Sequence, residues 1–128
     1  MSSRPIPHLT RLLTAEQERR MLANGEANAA RAIKDQKTED FHPVLKLFCP
    51  WNGATWLLTE LDPEDPDIAF GLCDLGMGFP ELGSVRLSEL AAIGGPGGLR
   101  IERDLYFKPT KTLQGYAEAA QREERIID

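Results

Sequence analysis

Val44-Leu45-Lys46-Leu47-Phe48-Cys49-Pro50-Trp51-Asn52-Gly53-Ala54-Thr55-Trp56-Leu57-Leu58-Thr59-Glu60-Leu61 is an apolar run, a turn and a second apolar run. Asn-Gly supplies the positive-φ positions that a tight hairpin turn needs, and the flanking residues are rich in Val, Thr, Trp and Phe, which favour extended chain. The stretch therefore predicts a strand over 44–48, a turn over 50–53 and a returning strand over 55–61. Downstream, Asp62-Pro63-Glu64-Asp65-Pro66-Asp67 reads as a polar turn, because neither proline can donate to a sheet ladder. Ile68 to Cys73 predicts a third strand, in which Gly71 marks a bulge or a close backbone approach. An irregular glycine-rich loop follows through Gly76, Gly78 and Pro80. Gly83 to Leu87 predicts a fourth short strand, and Ser88 a cap for a short helix over 89–93 that stops at Gly94-Gly95-Pro96-Gly97-Gly98.

The flanks read as helices. Thr14-Ala15-Glu16-Gln17 has the form of a capping box, with the helix best supported over 15–22 and extending towards Lys34 unless Asn24-Gly25 splits or ends it. Near the other end, Ile101 and Leu105 to Phe107 are candidates for an edge strand. Thr112 opens a terminal helix in which Leu113, Tyr116, Ala117 and Ala120 recur at i, i+3, i+4 and i+7. Short strands joined by short polar turns favour antiparallel pairing. The expected class is α+β: a mostly antiparallel sheet of four to five short strands, with an N-terminal, a short central and a C-terminal helix packed on it, the first and last over one face. Residues 1–13 are expected to form an arm and residues 14–128 a single domain.

A chain of 128 residues with 41% hydrophobic and 27% charged side chains can bury a sizeable core without disulfide or metal support. Cys49 and Cys73 lie in or beside candidate strands without a CxxC spacing, which reads as buried free thiols in a reducing compartment. No apolar run approaches the length of a membrane span, and the N-terminus lacks the apolar segment of a signal peptide, so the cytoplasm is the expected location.

Charge is unevenly distributed. Residues 1–43 carry seven basic and six acidic side chains, residues 44–107 four and ten, and residues 108–128 four of each. Seven carboxylates lie between Glu60 and Glu81 with no Lys or Arg among them. Such a face repels nucleic acid and anionic membranes. Asp62, Asp65 and Asp67 superficially suggest a calcium loop, but the spacing is wrong and two prolines stiffen it, so a solvated turn is the plainer reading. Gly76-Met77-Gly78-Phe79-Pro80 lacks the nearby cation and the following helix of a phosphate cradle. Cys49, Cys73, Ser84 and Ser88 would need a base, and neither His8 nor His42 lies in a nucleophile motif. No catalytic, metal or cofactor set is expected. Trp51 in the hairpin turn and Phe79 in the open loop stand out, since large aromatics on loops are enriched in binding hot spots.

The chain from about Val44 to Tyr116 resembles a proteobacterial family described as domain of unknown function 2958. The resemblance rests on Lys46-Leu47-Phe48, Ala54 to Asp67, Phe70-Gly71-Leu72-Cys73-Asp74-Leu75-Gly76, Gly78 to Gly83, Ile101 to Asp104 and Lys108-Pro109-Thr110. Leu13 to Gln17 and Leu22 to Gly25 extend it to nearly the whole chain. It implies no catalytic residues, and it implies a setting in which such small proteins are often encoded on plasmids and integrative conjugative elements.

Three functional classes follow, in descending order. The first is a protein-binding accessory or regulatory domain of a mobile element, presenting Trp51, Asp62, Glu64, Asp65, Asp67, Asp74, Phe79 and Glu81 to a basic protein partner. The second is a small enzyme or divalent-metal protein in which Glu60, Asp62, Asp74 and Glu81 converge, with Glu102 and Asp104 nearby. Direct nucleic-acid binding comes last, because Arg4, Arg11, Arg19, Arg20 and Arg31 are offset by Glu16, Glu18 and Glu26.

Overall fold

The computed structural model describes residues 11–128. The hairpin at the centre forms as its composition requires. Strand β1 (Leu45–Phe48) pairs antiparallel with β2 (Thr55–Asp62), Leu47 opposite Trp56. The connection is wider than a two-residue turn. The Cys49 amide donates to the Ala54 carbonyl at 2.9 Å, the Asn52 side chain accepts from the Ala54 amide at 2.9 Å, and the positive φ of 84° falls on Gly53.

Strand β3 (Asp65–Asp74) returns beside β2 after a turn centred on Pro63 and Glu64, which the Asp62 carboxylate closes by accepting from the Glu64 amide at 2.9 Å. The expected six-residue turn is therefore shorter, and Pro66 lies inside β3. It is tolerated because the register slips there: Leu61 pairs with Ala69 and Asp62 with Asp65, so Pro66, Asp67 and Ile68 bulge and no ladder bond to β2 is needed from the proline. A second slip leaves Thr59 as the extra residue between Leu58 and Glu60. Gly71 sits opposite Leu58 at that slip, where a Cβ would stand 2.0 Å from the Leu57 carbonyl oxygen, so the close approach expected there is real.

Strand β4 (Glu81–Arg86) pairs with β3 and begins two residues earlier than expected. Strand β5 (Glu102–Arg103) pairs with β1, giving one antiparallel sheet in the order β4-β3-β2-β1-β5. The expected edge strand at 105–107 does not form. The Asp104 carboxylate accepts from the Tyr106 amide at 2.9 Å and turns the chain, leaving Leu105 and Tyr106 exposed.

Helix α1 (Ala15–Ile33) opens with the expected box: Thr14 Oγ accepts from the Gln17 amide at 3.1 Å and Gln17 Oε1 from the Thr14 amide at 2.9 Å. It runs unbroken through Asn24-Gly25 to Ile33, and the chain turns away just beyond the Lys34 cap at Asp35, whose φ is 56°. The glycine has a packing reason. Beyond Leu58, β2 has no β1 partner, and α1 covers that vacant edge. Asn24 donates to the Thr59 carbonyl at 2.9 Å, and a Cβ on Gly25 would stand 1.8 Å from the Leu61 carbonyl oxygen. Leu12 and Leu13, expected in the arm, are fully buried in the core, so packing starts ahead of Thr14; residues 1–10, with His8 and Arg4, lie outside the described residues.

Helix α2 (Leu87–Ala92) starts earlier than expected and Ser88 does not cap it. Asp67, carried in the β3 bulge, does so from across the chain: it accepts from the Ser88 amide at 2.9 Å and from the Ser88 hydroxyl at 2.6 Å. Helix α3 (Leu113–Glu123), capped by Thr112, buries Leu113, Tyr116, Ala117 and Ala120 as its period predicts. The three helices do not share one face. Leu45, Leu47, Trp56, Leu58 and Ala69 pack with Met21 of α1 and Leu87 and Leu90 of α2, whereas Leu57 and Leu72 point the other way and pack under α3. The sheet is thus the middle of three layers.

Candidate functional site

The acidic residues singled out from sequence separate along β3. Asp62 and Glu64 are exposed at the β2–β3 turn. Asp65 and Asp67 each lie 3.2 Å from Arg86, and Asp67 also holds Ser88, so both are structural partners already engaged. Asp74 is at the far end of a ten-residue strand, roughly 30 Å away at the usual rise per residue. It is 4% exposed and fully used: its two oxygens accept from the Gly76 amide at 2.8 Å and the Ile126 amide at 2.9 Å. Glu81 and Phe79 are exposed at that same end. Glu102 and Asp104 lie on the other edge of the sheet, where Asp104 and Asp128 flank Lys46. Among the described residues, no three His, Cys, Asp or Glu side chains come together as a metal site. The carboxylates of the enzyme reading therefore do not converge.

The end of the sheet at Asp74 carries a distinct feature. In the β3–β4 loop, Leu75 is 55% exposed, Met77 68% and Phe79 78%. Gly76 and Gly78 between them have φ of 80° and 84°, Asp74 pins the first turn, and Pro80 is buried at the exit. The loop is therefore held from both ends while its apolar side chains stay in water. Glu124 of the C-terminal segment comes within 3.6 Å of where a Gly78 Cβ would stand, and Glu81 follows the loop, which gives it an acidic rim. Trp51 does not join this surface as a free aromatic. Its ring lies against Gly95, where a Cβ would be 2.6 Å away, and it packs on the main core.

A concavity lies elsewhere, on the face that α3 only partly covers. A cleft of about 500 Å³ is bounded by Asn28 and the 37–41 segment, by Glu60 and Phe70 of the sheet, by Leu82 of β4 and by Leu113 and Gln114 of α3. Glu60 is half-buried, and burial pushes its carboxyl above the usual range against the opposing hydrogen bond from Asn28. Asn28 Nδ2 donates to Glu60 at 2.9 Å and to the Glu39 carbonyl at 3.2 Å, while its oxygen accepts from the Glu39 amide at 2.8 Å. Of the two free thiols, Cys49 is buried, and burial pushes Cys73 up to about 11, which keeps it protonated and unreactive.

The family model described as protein of unknown function (DUF2958) matches residues 12–127. The chain belongs to this family. No curated protein and no solved structure matches it. Membership in the DUF2958 family carries no residue roles. Among the described residues, no helix is long and apolar enough to cross a membrane. Sequence reading missed Leu75 and Met77, although Leu-Gly-Met-Gly-Phe is itself a signal: alternating glycines leave large side chains without neighbours to pack on. It also missed Asn28, whose spacing from Met21 and Gly25 (i, i+4, i+7) marks a polar residue on the buried stripe of α1.

Proposed function

We propose that this DUF2958 domain is a protein-binding accessory or regulatory module that docks a basic, partly apolar segment of its partner on the β3–β4 loop. The observation that carries the reading is the exposure of Leu75, Met77 and Phe79 on a loop whose backbone is fixed by Asp74, Pro80 and the Ile126 contact. Large apolar side chains left in water on a preorganised loop bind without the cost of ordering it first. Glu81 and Glu124 at its rim, and the net charge of −5, favour a basic partner and speed its approach. A mobile-element setting, expected from the family resemblance, suits an accessory role.

Asp65 and Asp67 are occupied by Arg86 and Ser88, so lysine there would disturb the fold rather than test docking. The appropriate variants are Met77→Ser with Phe79→Ser, and separately Glu81→Lys. Tagged wild-type and variant domains are used to capture partners from host lysate, and a captured partner is purified and titrated back by calorimetry. The expected result is loss of binding in the loop double variant and weaker, more salt-sensitive binding in the charge variant. A purified partner that binds all three alike would exclude the loop as the docking surface.

A further inference from the structure

We infer that the cleft over Glu60 is a binding site for a small organic cation, a primary amine carried on an apolar body. Three features on the same wall point to this chemistry. The Glu60 carboxylate is fixed, because Asn28 donates to one of its oxygens at 2.9 Å and is itself locked by two bonds to the Glu39 backbone. At 6% exposure Asn28 cannot swing away to solvent, so the carboxylate is held at the base of the cleft before any ligand arrives. Its second oxygen has no cation: among the described residues no Lys or Arg lies within ion-pair distance of Glu60, although Glu39 pairs with Arg31 at 3.6 Å.

The remaining walls supply the apolar half. Phe70, Leu82, Leu113 and Phe41 line the cleft, and Leu82 is 41% exposed at its margin. A volume of about 500 Å³ falls within the roughly 300–1,000 Å³ of small-molecule sites, and an apolar pocket with one well-placed charge is their usual composition. The charged side chains lining it are Lys37, Glu39, Asp40 and Glu60. Asp40 accepts from the Gln114 amide and Glu39 is paired with Arg31, which leaves Lys37 against the charges of Asp40 and Glu60. The balance excludes anions and admits a monocation. An ammonium reaching Glu60 in this half-desolvated position gains more than it would at the open surface.

The test is an amide-resolved titration of the intact chain with phenethylamine, with 2-phenylethanol as the neutral probe of the same shape. Amine binding should saturate with a dissociation constant of about 1 mM or tighter, moving the amides of Asn28, Thr59 and Phe70. Glu60→Gln keeps an oxygen to accept from Asn28 and removes the charge, so it should weaken amine binding by about tenfold or more and leave alcohol binding as it was. Leu82→Lys, at an exposed position, brings a tethered ammonium to the cleft mouth and should likewise compete with the amine, a second variant that does not touch the Asn28 network. Absence of saturable shifts overturns the inference. So does amine binding equal to that of the alcohol, or unchanged in both variants. None of these outcomes bears on the β3–β4 loop, so the two proposals stand or fall separately.

Discussion

At the scale of single residues, Gly25 inside α1 and Gly71 inside β3 are there for neighbours rather than for turns. Helix propensity alone predicts that Gly25→Ala would stabilise α1 by about 1 kcal/mol. The Leu61 carbonyl oxygen, 1.8 Å from the added Cβ, reverses the sign, because backbone on both sides must move. Overpacking of this kind costs about 1–3 kcal/mol. Gly25→Ala should therefore show a lower urea midpoint with an unchanged slope, and a higher midpoint would refute the strand-edge packing. Glu60 makes a second prediction at this scale. Its carboxyl holds a proton to higher pH in the native protein than in the unfolded chain, because burial opposes the charge. The stabilisation from that protonated form is complete below the unfolded value and lost as pH rises through the raised native value. Thermal scans from about pH 4 to about pH 7 should show wild-type losing stability relative to Glu60→Gln across that window. Parallel curves would show that burial does not act on this carboxyl.

At the scale of elements, α2 is too short to sustain itself and depends on a cap supplied from another strand. Asp67 bulges out of β3, takes the Ser88 amide and hydroxyl, and shares Arg86 with Asp65. Its side chain is 12% exposed, against 44% for Asp65. Asp67→Ala should cost about 1–2 kcal/mol, as loss of a helix cap does, whereas Asp65→Ala removes only an open ion pair and should cost under about 1 kcal/mol. Equal losses in chemical denaturation would mean that the cap contributes nothing. Local sequence points to Ser88 as the cap, because Ser is a good cap and directly precedes the expected helix. The residue that caps is 21 positions away in the chain, a distance over which local rules have no force. By contrast, the Thr14 and Gln17 box and the stripe of Leu113, Tyr116, Ala117 and Ala120 were legible in advance, since both are satisfied within a few turns of one helix.

At the scale of the whole molecule, the exposed loop and the core are separable. Leu75, Met77 and Phe79 are exposed outside both hydrophobic clusters, so Met77→Ser with Phe79→Ser should shift stability by no more than about 0.5 kcal/mol. A larger loss would mean that the loop is part of the fold rather than a surface held for a partner. By itself the sequence determined the α+β class, the antiparallel hairpins, the start of α1 and the buried stripe of α3. Each follows from a period, a cap or a turn residue acting over a few positions. It also named Phe79 and Glu81, now beside each other at one end of the sheet. Only the tertiary structure decided that α3 takes the face opposite α1 and that Asp65 and Asp67 are consumed by Arg86. It likewise placed Asp62 and Asp74 at opposite ends of β3 and brought Asn28 to Glu60 to close a cleft. Those outcomes depend on which side of a strand faces which helix. One bulge at Thr59 is enough to change that side, and its position is set by packing across the sheet rather than by the residues next to it.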